Sequence, residues 1–306
     1  MSLTTQNYLK ALFAVVVWGA SFVATKAALR EIDPVTLIVV RFAIGVLVIG
    51  FAVWHRRVFQ RVGARDLGLL ALLGASAITI HQGLQATGLL FTSASNMAWL
   101  VALIPVFTAI LAWLFLSEKF GVAKIIGLAI AFAGAIIVVT RGAFTPDTLR
   151  VPSTTGDLLA LASAVNWAIF SVASKPMLRR LPPTLMMAYL MFIGWIFVLP
   201  FFAIGQGWNA FGNLTPNGWL AVAFLGFFCS GIAYIYWYDA LAHIDASQVS
   251  AFIYLEPLVT VVIAAFALNE QFTPMSFLGG LTILLGVYLV NRSTSQRAVG
   301  VSVASE

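Results

Sequence analysis

Apolar residues run through this chain in blocks of about twenty, separated by short polar or charged connectors. The spacing predicts ten helices, roughly at 8–28, 35–54, 67–87, 92–115, 122–140, 156–175, 183–204, 216–239, 246–268 and 274–291. Two stretches carry the argument. Residues 67–117 contain no Asp, Glu, Lys or Arg, and neither do residues 181–238. Both are far too long for one membrane helix, which needs about 20 residues to cross the hydrocarbon layer. Each must hold two spans and a turn; the third and fourth spans are joined by a tight turn at 87–92, and their counterparts, the eighth and ninth, at 242–245. The expected fold class is therefore an all-α integral membrane protein.

The pattern is written twice. Trp18, Lys26 and Pro34 recur as Trp167, Lys175 and Pro183 at an offset of 149. Ser95, Pro105, Glu118, Phe120, Gly127 and Gly134 recur as Ser247, Pro257, Glu270, Phe272, Gly279 and Gly286 at an offset of 152, the difference falling in a loop. Each copy holds five spans, and an odd number turns the second copy upside down relative to the first. Inverted repeats of this kind are the architecture of alternating-access transporters. The expected organisation is a first five-helix repeat over 1–145, an inverted second repeat over 146–292, and a disordered, polar tail at 293–306.

Composition agrees with a membrane setting: of 306 residues, 61% are hydrophobic and only 9% charged, against roughly 25% charged in a soluble domain. The net charge of +6 invites a nucleic-acid reading, but its placement argues for orientation. With ten spans, one side carries Lys10, Arg56, Arg57, Arg61, Arg65, Lys119, Lys124, Lys175, Arg179, Arg180, Arg292 and Arg297; the other carries Lys26, Arg30, Arg141 and Arg150. The positive-inside rule then puts both termini in the cytoplasm, as expected for a multi-pass protein of a bacterial inner membrane with no nucleic-acid partner. The single cysteine, Cys229, excludes an internal disulfide, and no cleavable leader is visible before the first apolar run.

Prolines punctuate the repeat. Asp33-Pro34 and Pro182-Pro183 suit helix starts, whereas Pro105 and Pro257 fall inside the fourth and ninth spans and predict kinks. The fifth and tenth spans carry small residues at helical spacing (Gly127, Ala131, Ala135; Gly279, Gly286) and almost nothing polar. They read as scaffold helices that pack closely on a neighbour or on a second copy across a homodimer contact.

These features together resemble the EamA-type members of the drug/metabolite transporter superfamily. The resemblance rests on the W-G-x-x-F start of the first span at Trp18, the V-V-R-F of the second around Arg41, the paired Pro105–Phe120 and Pro257–Phe272 blocks, and the Glu256-Pro257 of the ninth. It covers about residues 9–290. It implies ten helices as two inverted five-helix repeats around a central cavity lined by spans 1–4 and 6–9, and export of small metabolites, often amino acids. The chain departs from that pattern in Ile104, which precedes Pro105 where Glu256 precedes Pro257, and in an unusually aromatic eighth span.

Polar groups inside apolar spans are costly, so they tend to face a pathway or one another. His81, Gln82 and Gln85 lie together on the third span, Gln82 and Gln85 being repeat mates of Tyr234 and Trp237. Tyr234, Trp237 and Tyr238 crowd the eighth span, where aromatic faces suit apolar or cationic solutes or an interfacial belt. Trp18 and Trp167 are a repeat-related pair. Asn96 and Trp99 share a face of the fourth span, with Gln248 the mate of Asn96, and Ser21, Asn166 and Ser171 add hydrogen-bonding groups. Arg41 and Glu256 are charges deep inside spans, readable as an internal ion pair or as proton or substrate contacts. Glu118 and Glu270 recur at span ends, where capping or pairing with loop cations accounts for them.

No Walker motif, nucleophile elbow or metal-ligand cluster is present, so the expectation is no enzyme, no cofactor and no metal. The leading reading is a secondary exporter of neutral and aromatic amino acids with broad specificity. A nucleotide-sugar or sugar-phosphate carrier would need several cavity cations for phosphate; a multidrug or hydrophobic-cation exporter is the other alternative.

Overall fold

The computed structural model describes residues 3–116, 121–142, 152–243, 249, 252–271 and 273–303. Glu118, Lys119, Phe120, Arg150, Asp245, Ser247, Gln248 and Phe272 lie outside the described residues, as does the second half of the 242–245 turn.

The described residues fold into helices joined by short turns. The first two are α1 (Leu3–Ala28) and α2 (Pro34–His55). Asp33 caps α2 by accepting from the backbone N–H groups of Val35 and Thr36 at 2.9 and 3.0 Å, with Pro34 at the first helical position. The third stretch joins α3 (Ala64–Gly74), a π-helical segment (Ala75–Ile80) and α4 (His81–Phe91). The fourth is α5 (Ala94–Val101) and α6 (Ile104–Leu116), the fifth α7 (Val122–Thr140). Then follow α8 (Pro152–Leu178), α9 (Pro183–Ile204) and a 3-10 turn (Gly207–Asn213). The eighth stretch joins α10 (Pro216–Phe224), a second π-helical segment (Leu225–Ile232) and α11 (Ala233–His243). A 3-10 turn (Phe252–Tyr254) leads into α12 (Leu255–Leu268), and α13 (Pro274–Val303) ends the chain.

Eight of these stretches are long and apolar enough to cross a membrane, and Phe252–Leu268 and Pro274–Val290 are shorter apolar helices. Among the described residues there is no strand. The outside is apolar: Phe266 is 85% exposed and Ile204 83%, as befits side chains facing lipid. This is a multi-pass helical membrane protein.

Two expectations change. Pro105 and Pro257 do not kink continuous helices; each sits in the first turn of a new one, after an interruption at Ala102 and Leu103 and at Phe252–Tyr254 respectively. Proline has no N–H to give the preceding turn and is best tolerated at a helix start. The backbone of α13 also runs on to Val303, through the stretch read from sequence as a tail; no proline stops it.

Close backbone approaches set the packing. A Cβ on Gly134 would lie 2.6 Å from the Ile283 nitrogen and 2.7 Å from the Gly279 oxygen, so α7 and α13 pack backbone to backbone through their glycines. The small-residue faces offered as a dimer contact are thus spent within the chain. Gly45 of α2 meets Ser230 of the second π segment, and its repeat mate Gly194 of α9 meets Gly74 and Ile78 at the first. Each π segment is therefore crossed by the second helix of the other half.

Candidate functional site

Near the middle of α1, Trp18 donates from Nε1 to the Cys229 carbonyl at 3.1 Å. Its ring lies 5.3 Å from that of Tyr234, edge-on, and 5.3 Å from that of Trp237. Ser21 turns its hydroxyl back to the Trp18 carbonyl at 2.6 Å. One residue along, α1 touches α12: Thr260 donates to the Gly19 carbonyl at 2.8 Å, and a Cβ on Gly19 would stand 2.7 Å from the Glu256 carbonyl oxygen. The backbone of Glu256 thereby abuts α1 one residue from Trp18. Tyr238 is partly buried and packs on the apolar clusters that hold Tyr234 and Trp237.

The other half contributes a matching set. The His81 ring lies 4.6 Å from Trp167, with Nδ1 3.1 Å from the Ser163 carbonyl. Ser171 bonds to the Trp167 carbonyl at 2.7 Å, as Ser21 does to that of Trp18. Buried Arg41 donates from Nε to the Ser230 hydroxyl at 2.8 Å and from Nη1 to Gln82 Oε1 at 3.2 Å. The internal pair with Glu256 anticipated from sequence is not formed. Among the described residues Arg41 has only these neutral acceptors, and no ion pair engages Glu256. Ser21, Arg41, Gln82 and Gln85 enclose only about 10 Å³, room for about one water.

The two π segments supply what sequence reasoning missed. A π turn inserts a residue and leaves backbone carbonyls off the helical ladder, a local geometry frequent at functional sites. At the first, Asn166 donates from Nδ2 to the Ser76 carbonyl at 2.8 Å and accepts from the Ser76 hydroxyl at 3.0 Å. At the second, the carbonyl taken by Trp18 is that of Cys229. The first helix of each half thus reaches across to hold the π segment of the other. Ser230 and Ser76 were overlooked because small hydroxyls are common in membrane helices; their signal was position within charge-free runs.

Asn96 and Trp99 lie elsewhere. Trp99 packs on Phe277 and over Gly280 of α13, and both residues line a cavity of about 300 Å³ with Ser93, Arg141 and Glu270 at the end opposite the N-terminus. There Lys26 donates to the carbonyls of Leu89, at 3.2 Å, and Thr92. Glu270 accepts from the N–H groups of Ala94 and Ser95 at 2.8 and 3.3 Å and from the Ser95 hydroxyl at 3.0 Å. Asp157, fully buried and not anticipated, is bonded by Thr92 and lies 3.6 Å from Arg141. At the N-terminal end Asp239 binds Lys10 at 3.0 Å and Arg56 at 2.6 Å, the bond to Asp239 pushing the Arg56 guanidinium pKa up. Arg180 binds Asp66 at 2.8 Å. Among the described residues no cluster of His, Cys, Asp or Glu suited to a metal is found.

Comparison with known proteins now has a geometry to attach to. The chain is 31% identical over 284 residues, 92% of each protein, to a Streptantibioticus cattleyicolor protein named "Probable terminal-alkyne amino-acid exporter". It is 29% identical over 295 residues, 96% of this chain and all of the other, to an "Uncharacterized transporter" of Archaeoglobus fulgidus. It is also 29% identical over 306 residues to the Bacillus subtilis "Uncharacterized transporter YvbV", covering 98% and 96% of the two chains. A crystal structure shares the fold at a TM-score of 0.66 and 20% identity, over 94% of this chain and 97% of that one. The model of the EamA-like transporter family matches twice, at residues 6–140 and 154–292. The chain is a membrane transporter and belongs to the EamA-like transporter family.

Proposed function

We propose that this transporter exports amino acids, neutral and aromatic ones over a broad range, from the cytoplasm across a bacterial inner membrane. Both termini face the cytoplasm, and two inverted five-helix repeats rock about the central group of side chains. The observation that carries the reading is the chemistry of that group. It offers aromatic faces (Trp18, Tyr234, Trp167), an imidazole and neutral amides (His81, Gln82), with one cation and one carboxylate. Aromatic and amide linings accept apolar bodies of differing shape while fixing a small polar head. The relative named as an amino-acid exporter supports the same class. The cavity of only about 10 Å³ beside Arg41 supports a closed stage of an alternating cycle, in which entry waits on helix movement.

A second reading, export of hydrophobic cations, is favoured by Glu256, whose backbone packs on α1 at Gly19 beside Trp18, since a carboxylate-bearing residue near aromatic faces suits a cation. The test is uptake into proteoliposomes of labelled Leu, Phe, Trp, Lys, Glu, a quaternary ammonium dye and a nucleotide sugar, with and without a pH gradient. Several neutral amino acids should move and the nucleotide sugar should not. His81→Ala and Trp237→Ala should each slow the amino acids by about tenfold or more at unchanged folded yield. Movement of the dye or the nucleotide sugar alone defeats the amino-acid reading.

A further inference from the structure

The central group is built on a repeat, yet its two charges break the repeat. At the offset of 149 the mate of Arg41 is Leu190, and at the offset of 152 the mate of Glu256 is Ile104. Each charge therefore occurs once, in opposite halves, at positions where the other half is apolar. Two unlike charges in one apolar bundle would ordinarily quench each other, because an isolated charge at membrane depth is expensive. Here they do not. Arg41 is bound to neutral oxygens of Ser230 and Gln82. A guanidinium has five N–H donors in a fork shaped for a carboxylate, so most of its capacity is unspent. Partly buried Glu256 has no hydrogen-bonding or ion-pair partner for its carboxylate among the described residues. The Tyr234 ring lies 5.3 Å from that of Trp18, whose neighbour Gly19 packs on the Glu256 backbone.

We propose that Arg41 and Glu256 are the two poles of a binding site for the zwitterionic head of an α-amino acid: Arg41, with Gln82, receives the carboxylate, and Glu256 receives the ammonium against the rings of Trp18 and Tyr234. This rests on the amino-acid reading above and deepens it. A quasi-symmetric scaffold with one cation in one half and one anion in the other suits a solute whose two ends differ in charge. A hydrophobic cation would use Glu256 and leave Arg41 idle. A sugar phosphate would use Arg41 and be repelled by Glu256. Only a zwitterion satisfies both charges at once. The small cavity beside Arg41, Gln82 and Ser21 marks where the carboxylate enters once the helices separate. The side chain of the solute is left to the adjacent aromatic surface, which explains tolerance of several amino acids together with strictness about the head group.

The experiment is competition against labelled leucine in proteoliposomes, with isopentylamine as leucine lacking its carboxylate and 4-methylpentanoate as leucine lacking its ammonium. In the unaltered chain each analogue should compete at least about tenfold more weakly than leucine, the size of one lost charge-assisted hydrogen bond. Glu256→Gln should weaken leucine by about tenfold or more and leave 4-methylpentanoate unchanged or improved. Arg41→Gln should weaken leucine similarly and spare isopentylamine. Arg41→Lys and Glu256→Asp, which keep the charge, should recover part of the loss, and ligand-induced thermal shifts in detergent give the same order where transport is too slow. If leucine moves but Glu256→Gln or Arg41→Gln keeps the original ranking of competitors, the two-pole site is wrong while amino-acid export stands. If the charge-keeping variants lose binding as completely as the neutral ones while remaining folded, the two residues are structural and the proposal again fails. If the unaltered chain moves no amino acid, the underlying reading fails first.

Discussion

Asn166 shows how a single side chain can make an irregular helix affordable. Its amide gives Nδ2 to the Ser76 carbonyl and takes the Ser76 hydroxyl on Oδ1, so one residue satisfies both polar groups of a π turn in an apolar setting. Asn166→Leu keeps most of the volume but removes the partner of the Ser76 hydroxyl and the second bond to a carbonyl that the His81 backbone N–H still holds. The loss should be about 1 kcal/mol, with 3 as an upper bound, because interhelical bonds in membranes measure nearer 0.6 on average. Thermal unfolding in detergent checks this against Ser171→Ala, whose hydroxyl bonds only its own helix at the Trp167 carbonyl. Equal stability of the two variants would refute the bracing role. At this scale the sequence was readable in one sense only. Polar residues within apolar spans stand out, and Trp18, His81, Gln82, Asn166, Trp167 and Tyr234 all belong to the central group. Which residue meets which was not readable, because partners lie on other helices: Arg41 found Ser230 rather than Glu256, and Trp99 went to α13.

Between elements, the decisive contacts are those a glycine permits. At α7 and α13 the obstruction to a Cβ on Gly134 is backbone, the Ile283 nitrogen at 2.6 Å and the Gly279 oxygen at 2.7 Å, so the helices themselves must separate. Gly134→Ala should therefore destabilise by about 1–3 kcal/mol, the range for forced overpacking. Gly83→Ala, where nothing lies within 4 Å, should be neutral or slightly stabilising through helix propensity. A chemical-denaturation midpoint for the two variants decides it; a Gly134→Ala chain as stable as the parent would mean that α7 and α13 can slide apart freely. The helix limits were legible because their signals are local and chemical. The predicted 122–140 and 183–204 are the observed Val122–Thr140 and Pro183–Ile204, bounded by Gly121 on one side and by Pro183 on the other. The π segments and the breaks before Pro105 and Pro257 were not legible. Inserting one residue into a turn alters neither composition nor apolar run length, and a proline reads the same whether it bends a helix or starts one.

For the molecule as a whole, the two ends are tied by different means. At the end opposite the N-terminus, Lys26 of α1 holds the carbonyls of Leu89 and Thr92, and Glu270 after α12 holds the start of α5. This clasp joins α1 to the turn between α4 and α5, and that turn to the far end of α12. The repeat mate of Lys26 at the offset of 149 is Lys175, in the last turn of α8. In the alternating cycle proposed above each end must open in turn, so weakening the Lys26 clasp should shift the balance between states rather than merely loosen the fold. Val261 is 5% exposed, apolar, and lines the cavity of about 300 Å³ behind the Lys26 clasp, which makes it a reporter. In a Cys229→Ser background, Val261→Cys should react with a membrane-impermeant maleimide applied from the side opposite the termini. Adding Lys26→Ala should accelerate that labelling severalfold, because the closed arrangement loses its hydrogen bonds. Adding Lys175→Ala, at the repeat mate, should slow it if the opposite end then opens more readily. Acceleration by both substitutions would mean that each lysine only stabilises the fold, and the two ends would then not be alternatives of one another.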